Sequence, residues 1–152
     1  MREPITVEVD VILPQAGRMR LLSRAIEGDE TSIVVEAAIT PDNPFWYGDG
    51  VGGWVGIEYM AQAVAAWAGW RAQLRGEPPK VGFLLGSRTY QCTREIFYSG
   101  EILRIEALQL VWGENGLGQF DCRIEIDGAE VAQAALTVFE PADSTAFIQE
   151  SA

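Results

Sequence analysis

The sequence contains no histidine. Any acid or base chemistry in this chain therefore runs without imidazole, the side chain whose ordinary pKa lies nearest neutrality. Cysteine is almost as scarce. Cys92 and Cys122 are too few for a disulfide framework, and with no histidine beside them they make no metal site. Both lie in strand-like apolar surroundings and read as small packed hydrophobes in a reducing compartment. Cations are outnumbered, 11 Lys and Arg against 22 Asp and Glu, for a formal net charge of -11. That balance argues against nucleic acid and anionic membrane as partners, because both call for a basic footprint. Long apolar runs are missing as well. A membrane span needs about 18 uninterrupted apolar residues, and Glu58 and Arg71 break the best candidate. The amino terminus alternates polar and apolar residues and lacks the apolar h-region of a signal peptide, so a cytoplasmic protein is expected.

What is present is enough for a core. With 152 residues, 48% of them hydrophobic, the chain reads as one domain over residues 1–152. Residues 1–10 are expected as an N-terminal strand or arm, and residues 141–152 as a flexible tail. Val11-Ile12-Leu13-Pro14 leads through Gly17 to Met19, Leu21 and Leu22 as an irregular or one-turn segment. In residues 32–40, Ile33, Val35, Ala37 and Ile39 alternate with polar or small residues as a half-buried strand does. Residues 41–53, rich in Pro, Asp, Asn and Gly, read as a loop carrying Phe45, Trp46 and Tyr47.

Residues 54–74 are alanine-rich and apolar almost all round, which predicts a buried helix. Gly76-Glu77-Pro78-Pro79 ends it. Four strands are expected after it, at residues 81–90, 102–112, 118–126 and 130–139. Ser99-Gly100, Asn115-Gly116 and Asp127-Gly128 separate them, and the last two are dipeptides that accept the positive φ of a two-residue hairpin turn. One long buried helix followed by an antiparallel meander, with a strand before it, has a natural solution. The sheet curls around the helix, giving an α+β chain with the hotdog arrangement.

Glu58 is the anomaly of the helix. A carboxylate in Trp54-Val55-Gly56-Ile57-Glu58-Tyr59-Met60-Ala61 costs several kcal/mol if left buried and unpaired, roughly what a functional role would have to justify. Capping of backbone amides near the helix start is the alternative reading.

Gly56-Ile57-Glu58-Tyr59-Met60-Ala61-Gln62-Ala63 resembles the Glu-Ala-Met-Ala-Gln stretch that opens the hotdog helix in bacterial 3-hydroxyacyl-carrier-protein dehydratases. Leu13-Pro14-Gln15-Ala16-Gly17-Arg18-Met19 is similar to their Leu-Pro-His-Arg segment, with Arg24 where their Leu-Val-Asp-Arg tract ends. Val81-Gly82-Phe83-Leu84-Leu85-Gly86-Ser87-Arg88 matches a third stretch. The resemblance is closest to the dehydratase-like branch of aryl-polyene biosynthesis clusters and covers residues 10–140.

It implies a helix carboxylate, matched by Glu58, that assists departure of the C3 hydroxyl as water, and a loop His that removes the C2 proton. Here the loop reads Tyr47-Gly48-Asp49-Gly50-Val51, and the second family His falls at Gln15, which hydrogen-bonds but shuttles no proton. The usual acid–base pair is incomplete. Asp49 is a candidate substitute base if burial beside Trp46 and Trp54 raises its pKa, and otherwise an ordinary turn residue.

The thioester carbonyl needs amide donors, for which Gly52, Gly53 and Gly56 at the helix start are candidates. Gln62 of the same helix motif, Gln15 and Trp54 are candidate substrate-binding residues. Arg88 and Tyr90 line the cleft if the strand match holds, and Trp54, Trp67 and Trp70 either border an acyl tunnel or pack between sheet and helix. Arg18, Arg20, Arg71 and Arg75 are candidates to meet the phosphates of a carrier protein or coenzyme A, or are plain surface charge.

Three functions stay open: a 3-hydroxyacyl-thioester dehydratase centred on Glu58, a helper subunit whose partner supplies the missing His, and a Glu-dependent thioesterase. No metal or redox cofactor is implied, the substrate travelling as a phosphopantetheine or coenzyme A thioester. The expected partners are an acyl carrier protein or acyl-CoA, and a second hotdog chain in a homodimer or heterodimer.

Overall fold

The computed structural model describes residues 1–78 and 83–140. Its centre is α2 (Gly56–Leu74), entered through one turn of 3-10 helix at Gly53–Val55. Tyr59, Met60, Ala63, Ala66 and Trp70 are buried on it, while Glu58, Ala61, Ala65, Ala68 and Arg71 keep a half-exposed stripe. The helix ends where expected, with Gly76 at φ +69° beyond it.

Before α2 come β1 (Glu3–Pro4), α1 (Val9–Ile12), a 3-10 turn at Gly17–Met19, β2 (Arg24–Gly28), β3 (Ser32–Ala38), β4 (Trp46–Tyr47) and β5 (Gly50–Gly52). After it come β6 (Phe83–Cys92), β7 (Ile96–Tyr98), β8 (Ile102–Trp112), β9 (Leu117–Ile126) and β10 (Ala129–Phe139). Seven strands form one antiparallel sheet in the order β1-β2-β3-β8-β9-β10-β6, and β4-β5-β7 form a second, small sheet. Alternate residues of the large sheet, among them Ile33, Val35, Ile105, Phe120, Ile124 and Leu136, turn inward and bury against α2. This is the hotdog arrangement, a sheet wrapped around one helix.

The strands at 102–112, 118–126 and 130–139 lie where the alternation places them, to within one residue. The strand expected from residue 81 is described from Phe83 onward. Its first residues and the 141–152 tail lie outside the described residues.

The N-terminal arm carries a strand, two residues long at β1, followed by a one-turn helix whose Val9 and Ile12 turn inward against α2. Gly69 lets that helix approach, since a Cβ there would meet the Ile12 carbonyl. Two local expectations need correction. Asp127-Gly128 does close a tight turn, with φ +51° and +81°, but Asn115-Gly116 does not. Only Gly116 there has positive φ, and a four-residue connection is closed by Gly113 N–H donating to Leu117 O at 2.7 Å. Finally, the segment read as loop, residues 41–53, contains β4 and β5. They are strands because β7 pairs with Gly50, Val51 and Gly52, a contact between segments distant in sequence.

Candidate active site

The start of α2 is positioned by residues from three other segments. The loop before it is organised by Asn43, whose Oδ1 accepts from Phe45 N–H at 2.8 Å and whose Nδ2 donates to Tyr59 Oη at 2.9 Å. Tyr59 is wholly buried, edge-on to Phe97 with centroids 6.4 Å apart. Burial pushes its phenol up to about 12, the Asn43 hydrogen bond pulling the other way.

The 3-10 turn is pinned by Tyr90, whose hydroxyl donates to the Gly53 carbonyl. A bulge in β6 delivers it: Arg88 faces Ala135 and Gln91 faces Gln133, so Thr89 and Tyr90 together oppose Ala134. Thr89 takes φ +54°, a left-handed conformation that β-branched residues rarely adopt. Gly56 leaves room for the ring, because a Cβ there would meet the Tyr90 hydroxyl. Burial drives the Tyr90 phenol far above its ordinary value, with the neighbouring Cys92 adding to the effect, so Tyr90 stays a neutral donor.

Glu58 sits in the first turn of α2 and is half-buried, not enclosed in apolar surroundings. Its Oε1 accepts from Gln62 Nε2 at 3.1 Å, one helical turn on. Gln62 is fully buried and its amide is spent within the chain: Nε2 also donates to Met19 O at 2.7 Å, and Oε1 accepts from Leu21 N–H at 2.8 Å. Gln62 therefore holds the carboxylate and the 17–21 segment in place. The expectation that it touches substrate is corrected, because both its N–H donors are already committed.

The helix-start amides also differ from expectation. Gly53 N–H donates to Glu95 O at 2.8 Å and Gly56 N–H to Gly53 O, so neither is free for a thioester oxygen. Asp49 is exposed in the turn between β4 and β5, where its carbonyl accepts from Ser99 N–H at 3.2 Å. The burial that would make it a base is missing in this chain, and the turn reading describes it. Trp54, in the 3-10 turn that leads into α2, is 69% exposed and edge-on to Phe45 at 5.8 Å, and Tyr47 at the end of β4 is 88% exposed.

Gln15 is half-buried, and its Oε1 is a buried acceptor without a donor among the described residues. Arg88 lies on β6 opposite Ala135, and its side chain lies outside the described residues. Trp70 is buried and is a packing residue, while half-buried Trp67 packs one side on Phe120 and donates Nε1 to Asp29 O at 3.2 Å. Arg18 donates to Asp42 O at 3.1 Å. Among the described residues no group of three His, Cys, Asp or Glu side chains gathers to hold a metal, and no helix is long and apolar enough to cross a membrane. Asn43 was missed in the sequence, although Asn before Pro in a turn signals such a hub.

A family model described as ApeP-like, ApeP dehydratase, matches residues 7–149. The chain belongs to the ApeP-like dehydratase family. A chain of the solved dehydratase heterocomplex ApeI:P from Xenorhabdus doucetiae is 31% identical, with TM-score 0.87 over 95% of this chain and 97% of that one. This ApeP-like chain also shares its fold with more distant structures. A hypothetical thioesterase from Streptococcus pneumoniae, solved with coenzyme A, has TM-score 0.60 at 17% identity, covering 77% of this chain and 84% of that one. The PaaI protein of E. coli has TM-score 0.60 at 18% identity, covering 76% and 80%. No curated protein matches the chain significantly.

Proposed function

We propose that this chain is one subunit of a two-chain hotdog dehydratase, binding a 3-hydroxyacyl thioester and supplying Glu58 while a related hotdog subunit supplies the base. The observation that carries this is Glu58: a half-exposed carboxylate held by a buried amide, in a chain without histidine and with Asp49 out in solvent. In the reaction the partner's base takes the C2 proton, the electron pair forms the C2=C3 double bond, and the C3 hydroxyl leaves as water with the proton from the Glu58 carboxyl. Hotdog chains paired through their sheets place each cleft at a subunit interface, which suits an incomplete site. The structure of a relative solved as a dehydratase heterocomplex supports the same reading. The exposed Trp54 and Tyr47, and Gln15 Oε1 with no donor among the described residues, are groups that a second chain or an acyl thioester would cover. The acyl group would ride on phosphopantetheine, of an acyl carrier protein or of coenzyme A.

The test incubates the purified chain with a 3-hydroxyacyl thioester, alone and with a His-bearing hotdog paralogue, following enoyl absorbance and free thiol together. Enoyl product only from the pair is expected. Enoyl product from the chain alone would overturn the need for a partner, and thiol without enoyl would make the protein a thioesterase.

A further inference from the structure

A cleft of about 310 Å³ lies at the far end of α2, between its last turns and the end of β8. Along the helix, Arg71 is thirteen positions from Glu58, roughly 20 Å at 1.5 Å per residue, so this cleft is separate from the site at the helix start. Trp67 and Trp112 line it, their ring centroids 6.4 Å apart, and Phe120 backs both at 5.5 and 6.3 Å. Arg71 and Arg75 from the end of the helix, Gln109 of β8 and Glu140 after β10 also line it.

Two guanidiniums on one small cleft are unexpected in a chain with 11 cations and 22 acids. A helix C-terminus attracts cations, which accounts for their being on the last turns. It does not account for what they do there. Arg71 makes no ion pair among the described residues and lies over the Trp70 ring at 5.4 Å. Arg75 pairs with Glu77 at 3.2 Å, but both side chains are about half exposed, a pair that water and salt weaken and a ligand can displace. The result is a hollow with an aromatic wall and a cationic rim.

We infer that this cleft binds a phosphate-bearing purine nucleotide. Trp67 and Trp112 are tilted 54° to each other, so the ring system stacks on the more exposed Trp112, with Trp67 closing the wall behind it. The phosphate takes the planar forks of Arg71 and Arg75, which match its oxygens. Gln109 offers a donor and an acceptor to the edge of the base. The volume lies at the small end of ligand sites, about 300–1,000 Å³, enough for one nucleoside phosphate and little more. Such a group comes either as a free nucleotide or as the nucleotide end of coenzyme A. In the second case the half-exposed Ala61, Ala65 and Ala68 mark the helix face along which the pantetheine arm runs back to Glu58, a route that rests on the thioester function proposed above.

The test titrates the full chain, by calorimetry and tryptophan fluorescence, with adenosine 3′,5′-bisphosphate, AMP, coenzyme A, adenosine and inorganic phosphate. Saturable binding of the nucleotides is expected, with adenosine and phosphate each at least about tenfold weaker, since each makes only half of the contacts. The Arg71→Gln, Arg75→Gln double variant should weaken nucleotide binding by about tenfold or more, with its melting temperature close to that of the parent. Trp112→Leu is the second variant and should lose fluorescence quenching and affinity together. Coenzyme A binding more tightly than adenosine 3′,5′-bisphosphate would identify coenzyme A as the source, and equal affinities a free nucleotide. No saturable binding, or binding unchanged in the double Arg variant, overturns the site. None of these readouts requires dehydration, so they stand or fall separately from the proposed activity.

Discussion

Gln62 donates to Glu58 Oε1 over 3.1 Å while the same amide bridges Met19 O and Leu21 N–H of a segment some forty residues earlier. One buried side chain thus ties the carboxylate to the wall beside it. The helix supplies the spacing of four, and the bridged segment supplies the rigidity.

Replacing Gln62 by Leu preserves bulk but leaves the Leu21 N–H and Met19 carbonyl unpaired in the interior. A loss of roughly 3 kcal/mol is expected, a drop in melting temperature of about 6–12 °C. Thermal unfolding measures it, and a melting temperature within a degree of the parent would show that the bridge does not form.

Glu58→Gln keeps shape and the capacity to meet Gln62, so its stability should change by no more than about 0.5 kcal/mol. In the complex with a partner subunit, dehydration should fall by about 10²–10⁴, the usual contribution of a positioned acid. Full turnover in the variant would remove Glu58 from the chemistry. A large fall in melting temperature instead would mark it as a structural carboxylate.

Tyr90→Phe removes the donor to the Gly53 carbonyl and should cost about 1–2 kcal/mol. Gly56→Ala places a methyl where the Tyr90 hydroxyl lies and should cost more, about 2 kcal/mol or above. Combining Gly56→Ala with Tyr90→Phe should be less harmful than the sum of the two, because they share one contact. Additive losses would show that the two residues do not meet.

Tyr59 sets an alkaline limit on stability. Its folded pKa of about 12 lies above the ordinary 10.0, so its contribution is complete below pH 10 and is lost as pH rises toward 12. Two units correspond to about 2–3 kcal/mol as an order of magnitude. Denaturant unfolding between pH 9 and 12 should show this decline, and Tyr59→Phe should flatten part of it. An identical slope in the variant would mean that the Tyr59 phenol does not titrate in this window.

Local pattern carried most of the architecture. The alternation in residues 102–139 placed three strands, and the alanine-rich run with its Gly-Pro stop placed the helix, because a period of 2 or 3.6 is written in neighbours along the chain. β2, β4, β5 and β7 were invisible to it. They are two to five residues long, too short for a period, and β5 is a strand only because β7 lies against it.

The site divides in the same way. Composition alone settled that no histidine acts here, and the spacing of Glu58 and Gln62 put both on one face of one helix. Whether a polar group is free to act depends on what reaches it from elsewhere in the chain. Glu95 takes the Gly53 amide, Met19 and Leu21 take Gln62, solvent takes Asp49, and Trp112 comes across to Trp67 to wall a second cleft. Those approaches are set by sheet register and packing, so the sequence by itself determined which chemistry is available and the tertiary structure decided which groups remain free to perform it.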